Sequence, residues 1–137
     1  MVEVTVNYWA VIAAAAANMV VGSLWYGPVF GKYWMKLMGF TKESMQSMEL
    51  KAWQAMALGA INSLIIAYVL VFFTVTWVPA TIGGALMGAF WIWLGFVATT
   101  QISSFLWEGK PFMLFVLNTA YSLIAYGVMS AILVLWQ

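Results

Sequence analysis

Asn18, Asn62, Thr100, Gln101 and Asn118 stand within long apolar runs that carry no charge. Carboxamides and hydroxyls donate and accept hydrogen bonds but exchange no proton near neutral pH. Such a set can bind a neutral solute or tie helices together, and it cannot relay protons. The charged residues point the same way. They are Glu3, Glu43, Glu49 and Glu108 with Lys32, Lys36, Lys42, Lys51 and Lys110; Asp, Arg, His and Cys are absent. A thiolate nucleophile, a zinc site, an imidazole base and a Ser-His-Asp relay are therefore out of reach. Glu108 and Lys110 flank one glycine, and Glu49 lies two residues before Lys51. Both spacings suit interfacial ion pairs, and a catalytic glutamate would find only lysine as a partner. Met35 with Met38, and Met45 with Met48, imitate a thioether spacing favoured by Cu(I). Both pairs fall in amphipathic segments, where methionine is ordinary packing. The reading is of a protein that is not an enzyme and holds no metal or cofactor. A net charge of +1 gives no reason to expect nucleic acid.

The elements that must position these groups follow from composition. Hydrophobic residues make up 66% of the 137 and charged ones 7%, far from the balance of a soluble domain, so this is a multi-pass membrane protein. A hydrocarbon core of about 30 Å needs roughly 20 helical residues. Apolar stretches of that order occur four times, at 7–27, 51–73, 79–107 and 111–136. They define one transmembrane domain over 1–137, an all-α integral membrane four-helix bundle whose short second and third connections make antiparallel neighbours. All lysines lie in or beside the first and third loops. By the positive-inside rule those loops are cytoplasmic, and both termini lie outside an inner or plasma membrane. The aromatics fall into two belts: Tyr8, Trp9, Trp77 and Trp136 at the outer level, and Trp25, Tyr26, Trp34, Trp53, Trp107 and Phe112 at the inner. Counted from Trp25, Trp107 and Pro111, the residues Asn18, Thr100 and Asn118 lie seven positions in, and Asn62 lies nine from Trp53. At 1.5 Å per residue that is one layer, roughly 10 to 14 Å deep. A carboxamide unpaired in hydrocarbon costs several kcal/mol, so these groups face one another, water or a ligand.

SLWYGPVFGKYW, residues 23–34, ends the first span. Trp25 and Tyr26 read as interfacial anchors and Gly27-Pro28 as the helix stop. Lys32 with Trp34 hold a short amphipathic helix in the interface, within a cytoplasmic surface segment over 28–50. Gly39 suits a helix stop and Thr41 a cap, so the second span is predicted to begin near Lys42 and run on into the membrane. FLWEGKPF, residues 105–112, echoes the motif, with Trp107, Glu108 and Lys110 as the matching anchor. Aligning Trp25 with Trp107 pairs Leu24 with Leu106 and Gly27 with Gly109, and IAY recurs at 66–68 and 124–126. These matches suggest a two-plus-two repeat of parallel hairpins, the alternative being coincidence in an apolar chain.

GSLWYGPVFGKYWMKLMGFT, LGFVATT, FLWEGKPFMLFVLNTAY and MSAILVLW together resemble a family of small bacterial and fungal membrane proteins, the domain-of-unknown-function family seventeen sixty-one. The resemblance spans nearly the full chain and implies the four-span architecture, with no established activity, substrate or cofactor. Family members usually carry a Phe-Glu pair and an Arg where this chain has Trp107, Glu108 and Lys110. Two function classes fit. One is a passive, non-ion-coupled transporter or channel-like module for a small neutral or amphiphilic molecule held at the polar layer. The other is a structural or accessory protein that binds another membrane protein or lipid through small-residue faces such as Gly84 with Gly88. The expected partners are membrane lipids and either a second copy or another membrane protein, because four helices make a thin bundle.

Overall fold

A computed structural model describes residues 5–76 and 81–136. The described residues form helices and connections only, and four helices are long and apolar enough to cross a membrane. These are span 1 (Tyr8–Val29), span 2 (Ala52–Thr74), span 3 (Ile82–Leu106) and span 4 (Phe112–Leu135). The chain is thus the all-α membrane-type bundle that its hydropathy predicts. Trp77 and the connection 77–80 lie outside the described residues, as does Glu3.

Span 1 starts at Asn7, whose side-chain oxygen accepts from the Trp9 and Ala10 amides at 3.1 and 3.4 Å. The same carboxamide donates to the Trp136 carbonyl at 3.0 Å, which ties the start of span 1 to the end of span 4. From there the alanine run lets neighbours approach closely. Ala10, Val11, Ala14 and Ala15 pack with Ala67, Leu70 and Val71 of span 2 and with Ala125, Met129 and Leu133 of span 4. In lipid, where no hydrophobic force draws helices together, such close small-residue contact is what holds a bundle. This dry core occupies the half of the bundle nearer the chain ends.

Span 1 finishes in a π-turn, Trp25–Val29, that contains Pro28 and a non-helical Gly27. Proline has no N–H to continue the ladder, and the Phe30 amide reaches five residues back to the Trp25 carbonyl at 2.9 Å. The surface helix Gly31–Met38 follows directly. A Cβ on Gly31 would lie 2.7 Å from the Tyr26 carbonyl oxygen, so only glycine allows the chain to fold back this tightly. Gly39 closes the helix with φ 72°, while the Phe40 amide reaches the Met35 carbonyl at 3.0 Å.

Span 2 does not run on from Lys42 as expected. Thr41 caps only a short helix, Lys42–Gln46, and the serine hydroxyls then compete for the backbone: Ser44 donates to the Thr41 carbonyl and Ser47 to the Ser44 carbonyl. A new helix begins at Ala52, where the Lys51 amide donates to Gln54 Oε1 at 2.9 Å.

Span 3 stays helical throughout but changes its hydrogen-bond pattern along its length. Ile82–Ile92 gives way to a π-helical stretch, Trp93–Ala98, and then to the short turns Thr99–Gln101 and Ser103–Leu106. Hydroxyls bond back to carbonyls along this stretch: Thr99 to Gly95, Thr100 to Phe96 and Val97, and Ser103 to Thr100.

Span 4 is central and packs against all three others; span 1 packs along spans 2 and 4. Under a two-plus-two repeat, spans 1 and 2 correspond to 3 and 4, and the pairs 1–2 and 3–4 are indeed in contact. The counterpart of the close 1–4 contact would be a 3–2 contact, and there the two helices barely touch. This asymmetry leaves a groove between spans 2 and 3, floored by span 4.

Candidate functional site

The half of the bundle nearer the first loop opens between spans 1, 2 and 4, where the other half packs those three spans together. A cleft of about 840 Å³ lies between spans 1, 2 and 4, with Gln101 of span 3 at its edge and Trp34 and Met38 of the surface helix over its mouth. Helical spacing builds its walls. Asn18, Gly22 and Tyr26 follow one another at intervals of four on span 1, and Asn118 with Ser122 do so on span 4, so each set shares a face. Gly22 leaves room on that face for Tyr121, whose hydroxyl passes 3.1 Å from where a Cβ would be and would have to shift by a few tenths of an Å to admit one.

Two hydrogen-bond chains cross the site. Asn18 Nδ2 donates to Ser63 Oγ on span 2 at 2.8 Å, and Tyr121 of span 4 donates to Asn18 Oδ1 at 2.5 Å. One carboxamide thereby ties three helices. Tyr26 donates to Asn118 Oδ1 at 2.7 Å and meets the Tyr121 ring edge-on at 5.3 Å. Gln101 Nε2 reaches Ser122 Oγ at 3.4 Å, which in turn bonds the Asn118 carbonyl. Trp93 ties the π-helical stretch of span 3 to span 4 by donating to the Thr119 carbonyl at 2.8 Å.

Some polar atoms facing this space have no partner among the described residues, the whole Asn62 carboxamide, Asn118 Nδ2 and Gln101 Oε1 among them. A second pocket of about 310 Å³ adjoins the cleft and shares Asn18, Asn62, Gln101, Tyr121 and Ser122 with it. No lining residue of either space is charged.

Of the residues singled out from the sequence, Asn18, Asn62, Gln101 and Asn118 line the one cleft, and Thr100 lines the adjoining pocket. The Thr100 hydroxyl is committed to carbonyls of its own helix, so it presents no free donor. The anchor group divides. Tyr26 and Trp34 meet edge-to-face at 5.4 Å and line the cleft. Trp25 turns onto Phe30 at 4.6 Å with its indole N–H buried. Gly27, Pro28 and Lys32 are exposed around the π-turn, and Trp107, Glu108 and Lys110 are exposed in the turn between spans 3 and 4, away from the cleft. Tyr121, Ser63 and Ser122, neutral polar residues within the apolar spans, also line the cleft although they were not placed in the candidate layer. The signal for Tyr121 was its place three residues after Asn118, and for Ser63 its adjacency to Asn62.

No curated protein and no solved structure matches the chain. Residues 9–134 match the family described as "Protein of unknown function (DUF1761)". That match takes in almost every residue of the four spans and of the cleft, and the chain therefore belongs to this family.

Proposed function

We propose that the protein is a passive, non-ion-coupled transporter or channel-like module for a small neutral or amphiphilic molecule, which rests at the polar layer of the cleft. The observation that carries this reading is the set of unpaired amide groups, Asn62, Asn118 Nδ2 and Gln101 Oε1, around a space of about 840 Å³. At membrane depth an unpaired amide costs several kcal/mol unless water or a solute satisfies it. A cleft with no carboxylate, imidazole or amine in its lining gives a proton no titrating side chain at which to couple near neutral pH. The same lining of amide, hydroxyl and phenol supports binding rather than catalysis. On the positive-inside rule the mouth beside the surface helix faces the cytoplasm.

The test is glycerol uptake by liposomes carrying the full-length protein, followed by light scattering. The expected result is uptake faster than in empty liposomes, unaffected by a proton or sodium gradient, and reduced about tenfold by Asn62→Leu, which removes a hydrogen-bonding group without touching the core. Uptake no faster than in empty liposomes, together with no saturable binding of any neutral amphiphile, would sink the reading.

A further inference from the structure

The open space does not end at the polar layer. Beyond Asn62 and Gln101 the groove between spans 2 and 3 continues into two apolar pockets of about 220 and 230 Å³. They follow one another: the pocket at Thr100 shares Ile66 and Tyr126 with the first, and the first shares Phe73 and Ile92 with the second. On span 2 the wall is a single helical face, Asn62, Ile66, Val69 and Phe73. From the first of these to the last the helix rises about 16 Å, close to half of a hydrocarbon core of about 30 Å. The groove is therefore amphipathic along its length, with unpaired amides at one end and, at the other, walls that are mostly apolar, Tyr126, Thr74 and the buried Ser130 hydroxyl being the exceptions. Spans 2 and 3 barely touch, so it is open sideways to the bilayer.

Resting on the transporter reading above, we infer that the ligand is a single-chain neutral amphiphile. Its hydroxyl- or amide-bearing head sits among Asn62, Gln101 and Asn118, and its tail lies between spans 2 and 3. Each part of that description has a physical reason. The head is neutral because no lining residue could pair a phosphate or carboxylate at this depth. It both donates and accepts, because Asn118 Nδ2 needs an acceptor, Gln101 Oε1 needs a donor and Asn62 needs both; a hydroxyl or amide supplies them. The tail is single because the apolar pockets lie end to end along one groove. Its length is that of a chain filling one leaflet. The head lies about 10 to 14 Å deeper than a phospholipid head would, so the bilayer's own lipids in their normal position do not satisfy these amides.

The experiment uses the full-length protein in nanodiscs and three probes: a monoacylglycerol with a diazirine at its tail end, the matching lysophosphatidic acid, and glycerol. The expected result is saturable monoacylglycerol binding, about tenfold weaker for the lysophosphatidic acid, with the label found at Phe73 or Ile92. Asn62→Leu should weaken it about tenfold through the head, and Val69→Trp, at an exposed position that only narrows the tail groove, should do so through the tail. Glycerol uptake that depends on Asn62 without monoacylglycerol binding overturns this inference and leaves the transporter reading standing. If neither probe interacts, both fall. Equal binding of the charged lipid, label spread over all lipid-facing surfaces, or label transferred to a second copy of the chain in the groove each overturns it as well.

Discussion

Replacing Asn18 by leucine asks whether the polar layer is a tie between helices. The side chain is 8% exposed, donates to Ser63 of span 2 and accepts from Tyr121 of span 4. Interhelical hydrogen bonds in bilayers are worth about 0.6 kcal/mol on average and at most ~1.7, so loss of both costs about 1–2 kcal/mol. The groups left behind add little. Ser63 is buried but can turn its hydroxyl onto a carbonyl of its own helix, as several serines and threonines of this chain already do. Tyr121 is half-buried and borders the cleft, where its hydroxyl can find water. The expected loss of about 1–2 kcal/mol is a factor of about 5–30 in the folding equilibrium, measurable by reversible unfolding in mixed micelles. A double-mutant cycle isolates the tie: Tyr121→Phe alone should cost about 0.6 kcal/mol, and the double variant should fall short of the sum by a similar amount. Strict additivity, or an Asn18→Leu protein as stable as the parent, would refute the claim that this carboxamide joins spans 1 and 4.

Gly31→Ala should destabilise by about 1–3 kcal/mol, because the new Cβ meets the Tyr26 backbone oxygen at 2.7 Å and backbone cannot yield as a flexible side chain can. The same change should alter tryptophan fluorescence, since Trp34 rests on Tyr26; an unchanged spectrum and melting temperature would contradict the close approach. Binding of a neutral probe should be flat between about pH 5.5 and 8, since the lining holds no carboxylate, imidazole or amine, and isothermal titration at both limits checks it. A change beyond about twofold would place a titrating group in the site.

Four spans were legible because length and apolarity alone decide what can cross a bilayer. The polar layer was legible for a related reason: counting residues inward from interfacial aromatics gives depth, and depth brought Asn18, Asn62 and Asn118 to one level. Which neighbours they meet was not. The place of Tyr26 in the cleft was not drawn from the sequence, because an aromatic at the end of an apolar run reads as an anchor, although Asn18, Gly22 and Tyr26 at intervals of four share one face. The break before Ala52 was hidden because helix propensity cannot show that Ser44 and Ser47 bond back to the chain rather than let it continue. The π-helical stretch at Trp93–Ala98 has no breaker at its centre but Gly95, which is common in membrane helices. The groove was beyond reach of any single-helix pattern, because it arises from spans 2 and 3 failing to pack.

The distribution of hydrogen bonds explains why that gap persists and what would change it. Spans 1, 2 and 4 are joined through one buried carboxamide and a dense alanine core. Span 3 is joined to span 4 by Trp93 and by the long Gln101 contact at 3.4 Å. The described hydrogen bonds that cross between helices at this level place none between spans 2 and 3, although Asn62 and Gln101 carry the groups to make one. In water, the exposed walls of such a groove would be pressed together; in a bilayer, lipid tails are as apolar as the walls, and only polar pairing or close packing gives closure. Closure would leave Asn62 and Gln101 satisfied by each other, and a bound head satisfies them while holding the spans apart. On the proposed binding mode, the same two amides would compete between closing the groove and binding in it. A ligand that fills their hydrogen bonds favours the open arrangement by its difference in affinity for the two.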